Sequence, residues 1–400
     1  MSNNTDVLVA GGGPAGLIFA EKVSRKGIPV TLFEEHSEIG IPSHCAGLIS
    51  IRGLERIGIT PSSEYIENSI KGAIFHSPKD ISFEVKSKKS LAYVINRATF
   101  DQSLARSAKE NDVKIQLGRR IVDISKTGER IVGCLDNEDN EIRSRITVSA
   151  EGINGYLIRK AGLGTLKKSF ILPAVQFEVN NVDLEEDLAH IFLGKRYSTN
   201  FFAWIIPTGK DSARAGLASS NQNIIKKLDQ FIKQNLENAV KVSTKTGHIY
   251  TGGPIRKTCC EGFLAIGDVC GQIKPTTGGG VILGGLCASI AAEAVLKIDE
   301  NNDLTYPLLR EHYERKWHNQ LQKLFNSMLI SRKILNSLTD DTIDDIFKLI
   351  IRSDIVEDIN QSIDMDFQSD IIKKVIYKSI RSKTFFFVIK DILSQFIHTL

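Results

Sequence analysis

The stretch Asp6-Val-Leu-Val-Ala-Gly-Gly-Gly-Pro-Ala-Gly16 constrains this chain more than any other. An apolar run leads into Gly11, Gly13 and Gly16 at G-x-G-x-x-G spacing, a helix-compatible run continues to Lys26, and a second apolar run, Val30-Thr-Leu-Phe33, ends on Glu34. The order is strand, turn, helix, strand. Gly11 allows the tight turn, Gly13 lets a pyrophosphate approach the backbone, and Gly16 lets the helix pack close to the strand. A diphosphate then sits on the unsatisfied N–H groups at the helix start. Glu34, about 20 residues further on, is placed to accept hydrogen bonds from a ribose. The pattern predicts a dinucleotide-binding unit.

A second stretch narrows the ligand. Gly262-Phe-Leu-Ala-Ile-Gly-Asp268 reads as a buried strand ending at the carboxyl edge of a sheet, where ligands bind, and Pro275-Thr-Thr-Gly-Gly-Gly280 opens a small-residue helix, Val281 to Leu296. Asp268 is placed to hold the hydroxyls of a ribityl chain. The helix start at Gly278, Gly279 and Gly280 suits the anionic edge of a reduced isoalloxazine. Two such sites in one chain favour a flavin over a nicotinamide.

Between them the chain alternates. Glu38 to Ser50 is a turn-rich segment carrying His44 and Cys45, and a helical pattern follows through Leu54 and Ile57. Ile70 to His76 and Ile81 to Val85 read as strands joined by the turn Ser77-Pro-Lys-Asp80. Phe100, Leu104 and Ala108 recur at helical spacing. Short apolar bursts between charged turns over 113–150 predict a β-meander. A β-rich region runs from about 170 to 250 around a helix from Ile224 to Leu236, and the text beyond Asp303 is amphipathic and helical, with no motif legible as chemistry.

Composition excludes several classes. With 42% hydrophobic residues over 400 positions the chain can bury a large core, and its length fits two or three domains. The net charge of +4 comes from interspersed acids and bases, which gives no case for nucleic acid. The polar start Met1-Ser-Asn-Asn-Thr5 and the absence of an apolar run near the roughly 18 residues of a spanning helix place the protein in the cytoplasm. Six cysteines without a paired C-x-x-C framework predict neither a disulfide scaffold nor a metal site. From Ile371 to Leu400 there are six Lys or Arg and one acid, and Phe385-Phe-Phe-Val-Ile389 follows the basic cluster. That segment can touch an anionic lipid surface at the inner face of the membrane or dock on the body.

With Gly11, Gly13, Gly16, Glu34, Arg97 and Gly267-Asp268 in this order, the chain resembles flavoproteins of the p-hydroxybenzoate hydroxylase fold. Within them it is similar to the geranylgeranyl reductase family, in particular the archaeal members that saturate digeranylgeranylglycerophospholipids. Cys45-Ala-Gly-Leu-Ile-Ser50, Tyr93-Val-Ile-Asn-Arg97, Trp204-Ile-Ile-Pro207 and Leu338-Thr-Asp-Asp-Thr-Ile-Asp-Asp345 carry that narrower likeness. The family's Tyr-x-Trp-x-Phe-Pro-Lys motif stands here as Phe202-Ala-Trp-Ile-Ile-Pro-Thr208, and the Asp-Gly pair common in the fold is Glu151-Gly152.

The resemblance implies an α/β fold: a Rossmann-type FAD-binding domain of the glutathione reductase and p-hydroxybenzoate hydroxylase kind, an antiparallel β-sheet substrate domain and a C-terminal helical region. The expected boundaries are 1–70, 95–165 and 250–298 for the first, 71–94 and 166–249 for the second, and 299–400 for the third. FAD is the implied cofactor, contacted by Gly11, Gly13, Ala15, Gly16, Glu34, Glu35, Cys45, Ala46, Arg97, Gly267, Asp268, Pro275, Gly278, Gly279 and Gly280. Phe202 and Trp204 face one side of a strand, where with Ile206 and Pro207 they either pack a core or line an isoprenoid channel. The resemblance implies that Cys45 is close to the flavin, and His44 is either an exposed loop residue or a proton relay. A thiol in apolar surroundings keeps its proton, which suits proton donation. The implied partners are an isoprenoid lipid and an external electron donor: ferredoxin, a deazaflavin or NAD(P)H. Two alternatives stay open at this point, a flavin-dependent monooxygenase or halogenase on the same fold, and a prenyl-binding carrier without redox chemistry.

Overall fold

The computed structural model describes residues 4–299, 304–353, 356–357 and 365–366. The basic and aromatic segment 371–400 lies outside the described residues, and with it the reading of that segment as a membrane contact.

Five parallel strands make the centre of an eight-stranded sheet, in the order Phe263–Ala265, Glu141–Ser149, Asn4–Ala10, Val30–Phe33 and Lys114–Gln116. Val7, Leu8 and Val9 are all buried, because both faces of the central strand are covered. Helices Pro14–Ser24, Arg97–Glu110 and Val281–Asp299 pack together over one face. The meander is present as Ile121–Thr127, Arg130–Asp136 and Glu141–Ser149, and its last strand doubles as a member of the parallel core.

One expectation is overturned here. Helix Val281–Asp299 is long and apolar enough, by length and composition, to cross a membrane. Its glycines and alanines read as a small-residue core helix rather than as an apolar run. In the fold 67% of its most apolar window is buried, and the helix packs against Pro14–Ser24 and the turn Gly267–Cys270.

A seven-stranded sheet follows the order Val240–Tyr250, Ile171–Asn180, Ser212–Ala218, Phe202–Gly209, Leu188–Leu193, Gly72–His76 and Ser82–Lys86. It is not wholly antiparallel as expected. Leu188–Leu193 and Gly72–His76 run parallel, because the hairpin arrives from a distant part of the chain rather than through a tight turn. Helix Ile224–Asn235 covers one face with Leu228, Phe231 and Ile232, and the opposite face borders the functional cavity. A three-stranded sheet, Leu48–Ser50, Ala92–Ile95 and Ile66–Ile70, touches both the seven-stranded sheet and helix Val281–Asp299.

Beyond residue 304, Tyr306–Leu309, a π turn at Arg310–Glu314 and helix Arg315–Ser337 form one continuous rod. The π turn presents Tyr313, whose hydroxyl donates to the Ala265 carbonyl at 2.5 Å, and Glu314, which accepts from the Thr258 amide at 2.6 Å. Both bonds brace the strand that ends at Asp268. Helix Asp340–Ile351 follows, capped by Thr339, whose hydroxyl accepts from the Thr342 amide.

Candidate active site

Four strands of the parallel sheet end side by side, at Gly11, Glu34, Ala150 and Ile266. This carboxyl edge is where open parallel sheets bind ligands. Gly11 has φ +112°, and a Cβ there would lie 2.3 Å from the Ala150 carbonyl oxygen. A Cβ on Gly16 would lie 2.1 Å from the Gly11 oxygen, so only glycine lets the helix begin this close to the turn. Gly13 differs: it has φ −76°, and an added Cβ would meet nothing within 4 Å. Gly13, Pro14 and Ala15 border a cavity, and no side chain caps the helix they open.

Glu34 braces this turn. Its carboxylate accepts from the Gly12 amide at 2.7 Å and the His36 amide at 3.0 Å, and lies 2.5 Å from His36 Nδ1. Within the chain it thus ties the glycine turn to His36, and a carboxylate's roughly four acceptor positions are not all used. Glu35 is half exposed, faces Arg120 at 3.5 Å and does not border the cavity.

At the far side of the same edge, Gly267 (φ +75°) turns the chain so that Asp268 borders the cavity against the Gly280 backbone. Gly278 and Gly279 also border it, whereas Gly267 and Pro275 stand behind. The hydroxyls of Thr276 and Thr277, on the same loop, are buried without a hydrogen-bond partner. Buried hydroxyls ordinarily have partners. An open glycine cradle at one end and two orphaned hydroxyls beside a helix start at the other fit a ligand carrying a diphosphate and a polar heterocycle edge, as FAD does. Arg332, also at the cavity, holds the loop, donating from Nε to the Pro275 carbonyl at 3.1 Å and from its terminal nitrogen to the Thr276 carbonyl, with its guanidinium over Phe201. Burial lowers its pKa to about 10, which leaves it charged at neutral pH.

Burial raises the Asp268 pKa to about 6, against the pull of Arg97. A carboxyl raised in this way binds its proton in the folded chain where the unfolded chain, at 3.8, has lost it. Its contribution is intact below about pH 4 and is lost as pH rises through about 6. Asp268→Asn is therefore expected to flatten the fall in stability of the flavin-free protein over that window, by up to about 3 kcal/mol, less whatever water in the cavity screens. Unfolding midpoints at pH 4, 5, 6 and 7 measure it, and an unchanged slope refutes it.

Cys45 faces the cavity with Ala46 and His44 beside it. Its sulfur accepts from the Gly47 amide at 3.4 Å. Arg97 opens its helix just after the N-cap Asn96 and forms a two-pronged pair with Asp101, at 3.1 and 2.9 Å. Cys45 lies close enough to the same guanidinium to interact with its charge. Burial works against its charge, but Asp101 and Cys45 outweigh burial and hold Arg97 above its ordinary range. His44 is exposed at the cavity rim, and partial burial, then Lys245 and His36, push it below its ordinary value. Of the remaining five thiols Cys260 is partly buried and the other four are buried: burial pushes Cys260 up to about 11, Cys134 to about 12, and Cys259, Cys270 and Cys287 higher.

Two residues that sequence reading passed over fix the Cys45 loop. Arg214 donates to the carbonyls of Ala46 at 3.1 Å and Ile95 at 2.9 Å, and pairs with Glu67 and Glu178. Gln176 reaches the Cys45 carbonyl at 3.5 Å while accepting from the Trp204 indole at 3.3 Å. The available signal was a polar residue at a buried position of an otherwise apolar strand, in Ala174-Val-Gln-Phe177 and Ala213-Arg-Ala215.

The cavity measures about 850 Å³, near the top of the usual range of about 300–1,000 Å³. Phe202, Trp204 and Ile206 border it together, as the period of two on a strand requires. Phe202 and Trp204 meet edge to face, with centroids 6.0 Å apart. Pro207 is a correction: the same alternation puts it on the other face, where its carbonyl accepts from Asn68 at 3.0 Å. The helix Asp340–Ile351, in a region that carried no legible chemistry, contributes Ile343, Phe347 and Ile350 to the wall.

Comparison with known proteins agrees with this geometry. The FAD binding domain family model matches residues 4–255. The chain is 32% identical over 350 residues to the digeranylgeranylglycerophospholipid reductase of Methanocaldococcus jannaschii, covering 85% of this chain and 88% of the relative. It is also 32% identical over 354 residues to digeranylgeranylglycerophospholipid reductase 2 of Methanopyrus kandleri, with the same coverage. A geranylgeranyl bacteriochlorophyll reductase-like structure from Thermoplasma acidophilum shares the fold with a TM-score of 0.87 at 24% identity, over 98% of this chain and 99% of that one. The flavin-dependent brominase Bmp2 shares it with a TM-score of 0.71 at 19% identity, over 94% and 99%. A glycine turn, a flavin-sized cleft and relatives of nearly equal length lead to one conclusion: this chain belongs to the FAD-binding-domain flavoproteins and, among them, to the family of the digeranylgeranylglycerophospholipid reductases.

Proposed function

We propose that the protein is an FAD-dependent reductase that saturates carbon–carbon double bonds in the geranylgeranyl chains of archaeal-type membrane lipids or their precursors. The observation that carries this reading is a single cavity joining the glycine turns and Cys45 to a wall of Phe202, Trp204, Ile206, Phe75 and Phe347. A compact aromatic substrate does not need so long an apolar wall, whereas a prenyl chain does.

FAD, when bound, supplies reducing equivalents as hydride. In this reading Gly11, Gly13 and Gly16 accommodate its diphosphate, Asp268 its ribityl hydroxyls, and Thr276, Thr277 and the Gly278–Gly280 helix start its ring edge. An isolated alkene spreads incoming charge poorly, so a proton must be delivered beside it. Cys45 is the cavity-facing thiol, with the Arg97 charge near it, and Gln176 and Arg214 hold the carbonyls of Cys45 and Ala46. The apolar wall excludes the water that would otherwise compete for the proton. His44, exposed at the rim, resupplies Cys45 from solvent.

Cys45→Ala is expected to keep bound flavin while slowing lipid reduction by roughly 10²-fold, the lower end of what a positioned acid contributes. The rate of flavin reoxidation in a single turnover reads this. An unchanged rate removes Cys45 from the mechanism.

The electron donor is external in this proposal: ferredoxin, a deazaflavin or NAD(P)H. The proposed location is the cytoplasm, with peripheral contact at the inner membrane face where the lipid resides. Membership of the FAD-binding family removes the basis for a cofactor-free carrier. Against the monooxygenase and halogenase alternative, the test is the aerobic reaction with a reductant and bromide. The proposal expects saturated lipid, and oxygen consumption coupled to a hydroxylated or brominated product overturns it.

A further inference from the structure

Strand register lays the side chains of the cavity floor in one line. Across the seven-stranded sheet Gln176 pairs with Gly216, Gly216 with Trp204, Trp204 with Ile191, Ile191 with Phe75, and Phe75 with Phe83. All but Gly216 border the cavity. Gly216 is covered by the Trp204 indole, since a Cβ there would lie 2.4 Å from the ring. The line starts under the Cys45 carbonyl, at Gln176, and becomes wholly apolar beyond Trp204. Five strand spacings separate its ends, which at about 4.8 Å each is roughly 24 Å before sheet twist shortens it.

The far end is aromatic. Phe75 stacks on Phe83 with centroids 5.2 Å apart, and Phe83 tilts against Phe347 of helix Asp340–Ile351 at 4.9 Å. That helix is clamped to the sheet by the acidic run noted in the sequence. Asp340 accepts from the Lys195 and Arg196 amides at 2.6 and 3.0 Å, and Asp344 accepts from the Ser77 hydroxyl and the Lys79 amide at 2.5 and 3.0 Å. Carboxylates bound to backbone amides fix a helix far better than surface ion pairs do. The aromatic end is therefore a braced wall.

We infer that this floor is a ruler for the prenyl chain, and that Phe83 and Phe347 are the stop for its terminal isoprene unit. The inference rests on the reductase reading and deepens it by naming what sets chain length. The span from Cys45 to the stop is on the scale of an extended chain of four isoprene units. A longer chain is halted at Phe83 and Phe347, and a shorter one leaves the end of the line unfilled.

The test uses the holoenzyme with prenyl alcohols of two to five isoprene units, reading affinity from the perturbed flavin spectrum and saturation by mass spectrometry after anaerobic reduction. Wild type is expected to bind most tightly at four units. Phe347→Ala, with Phe83→Leu as a milder second variant, is expected to shift the ratio of five-unit to four-unit affinity by roughly tenfold or more. Ile191→Trp, which blocks the line midway, shifts preference to shorter chains. If all three variants hold flavin normally and keep the wild-type length profile, the ruler is wrong while the reductase reading stands. If wild type neither binds nor reduces any member of the series, the reductase reading itself falls, and the ruler with it.

Discussion

Gly11→Ala is expected to yield a colourless, destabilised protein, whereas Gly13→Ala yields a colourless protein of nearly unchanged stability. The two glycines lie in one turn but answer to different constraints. At Gly11 a Cβ would press to 2.3 Å from a backbone oxygen that belongs to the neighbouring strand and cannot rotate away, at a φ of +112° that side chains disfavour. A cost on the order of 2–4 kcal/mol follows from strain and overpacking together, and the distorted turn loses its diphosphate contacts. At Gly13 the backbone is ordinary and the new methyl meets no protein atom within 4 Å. It projects into the space a diphosphate needs. Flavin-to-protein absorbance ratio and denaturant midpoint separate the cases. A yellow Gly13→Ala protein with full flavin content contradicts the placement of the diphosphate.

Arg214→Leu carries the second large effect. Arg214 is 5% exposed and its guanidinium has four partners: two carbonyls from different elements and the carboxylates of Glu67 and Glu178. Removing it strands two carbonyls and leaves Glu67 without its short ion pair, while Glu178 retains Lys245 at 3.0 Å. Truncating one partner of a buried pair costs about 3–5 kcal/mol. Because both glutamates keep some solvent access, the lower end, about 3 kcal/mol, is expected here. The Cys45 loop is released at the same time. Arg214→Lys keeps the charge but cannot fork to both carbonyls, so it should recover most of the stability and little of the alkene reduction rate. Alkylation of Cys45 in the holoprotein should quicken in both variants. Full activity in Arg214→Lys refutes a positioning role.

What could be read in the sequence follows from what is local. The glycine turn, the strand ending in Gly267-Asp268 and the hairpin around Ser77 to Asp80 announce themselves because each is built from consecutive residues whose conformational demands are distinctive. The inward alternation of Phe202, Trp204 and Ile206 was equally local, and it excluded Pro207 had it been followed one residue further. Arg214, Gln176 and Phe347 were not legible. Each acts through partners more than 100 residues away in sequence, as in the bonds from Arg214 to Ala46 and from Gln176 to Cys45. The run Leu338 to Asp345 carried the family likeness without showing what its acids do, and Asp340 and Asp344 satisfy amides of two turns of the seven-stranded sheet. Helix Val281–Asp299 escaped notice as an apolar span for a related reason: small residues mark tight packing, and only the fold shows that most of its surface is buried.

A flavin and a prenyl chain that share one cavity must exchange hydrogen there. Anaerobic mixing of the reduced holoprotein with a digeranylgeranylglycerophospholipid, followed by stopped-flow absorbance and lipid mass spectrometry, tests that directly. Reoxidation of the flavin in step with a gain of one hydrogen pair per flavin is the expected result. A flavin that stays reduced in the presence of bound lipid of unchanged mass would contradict it.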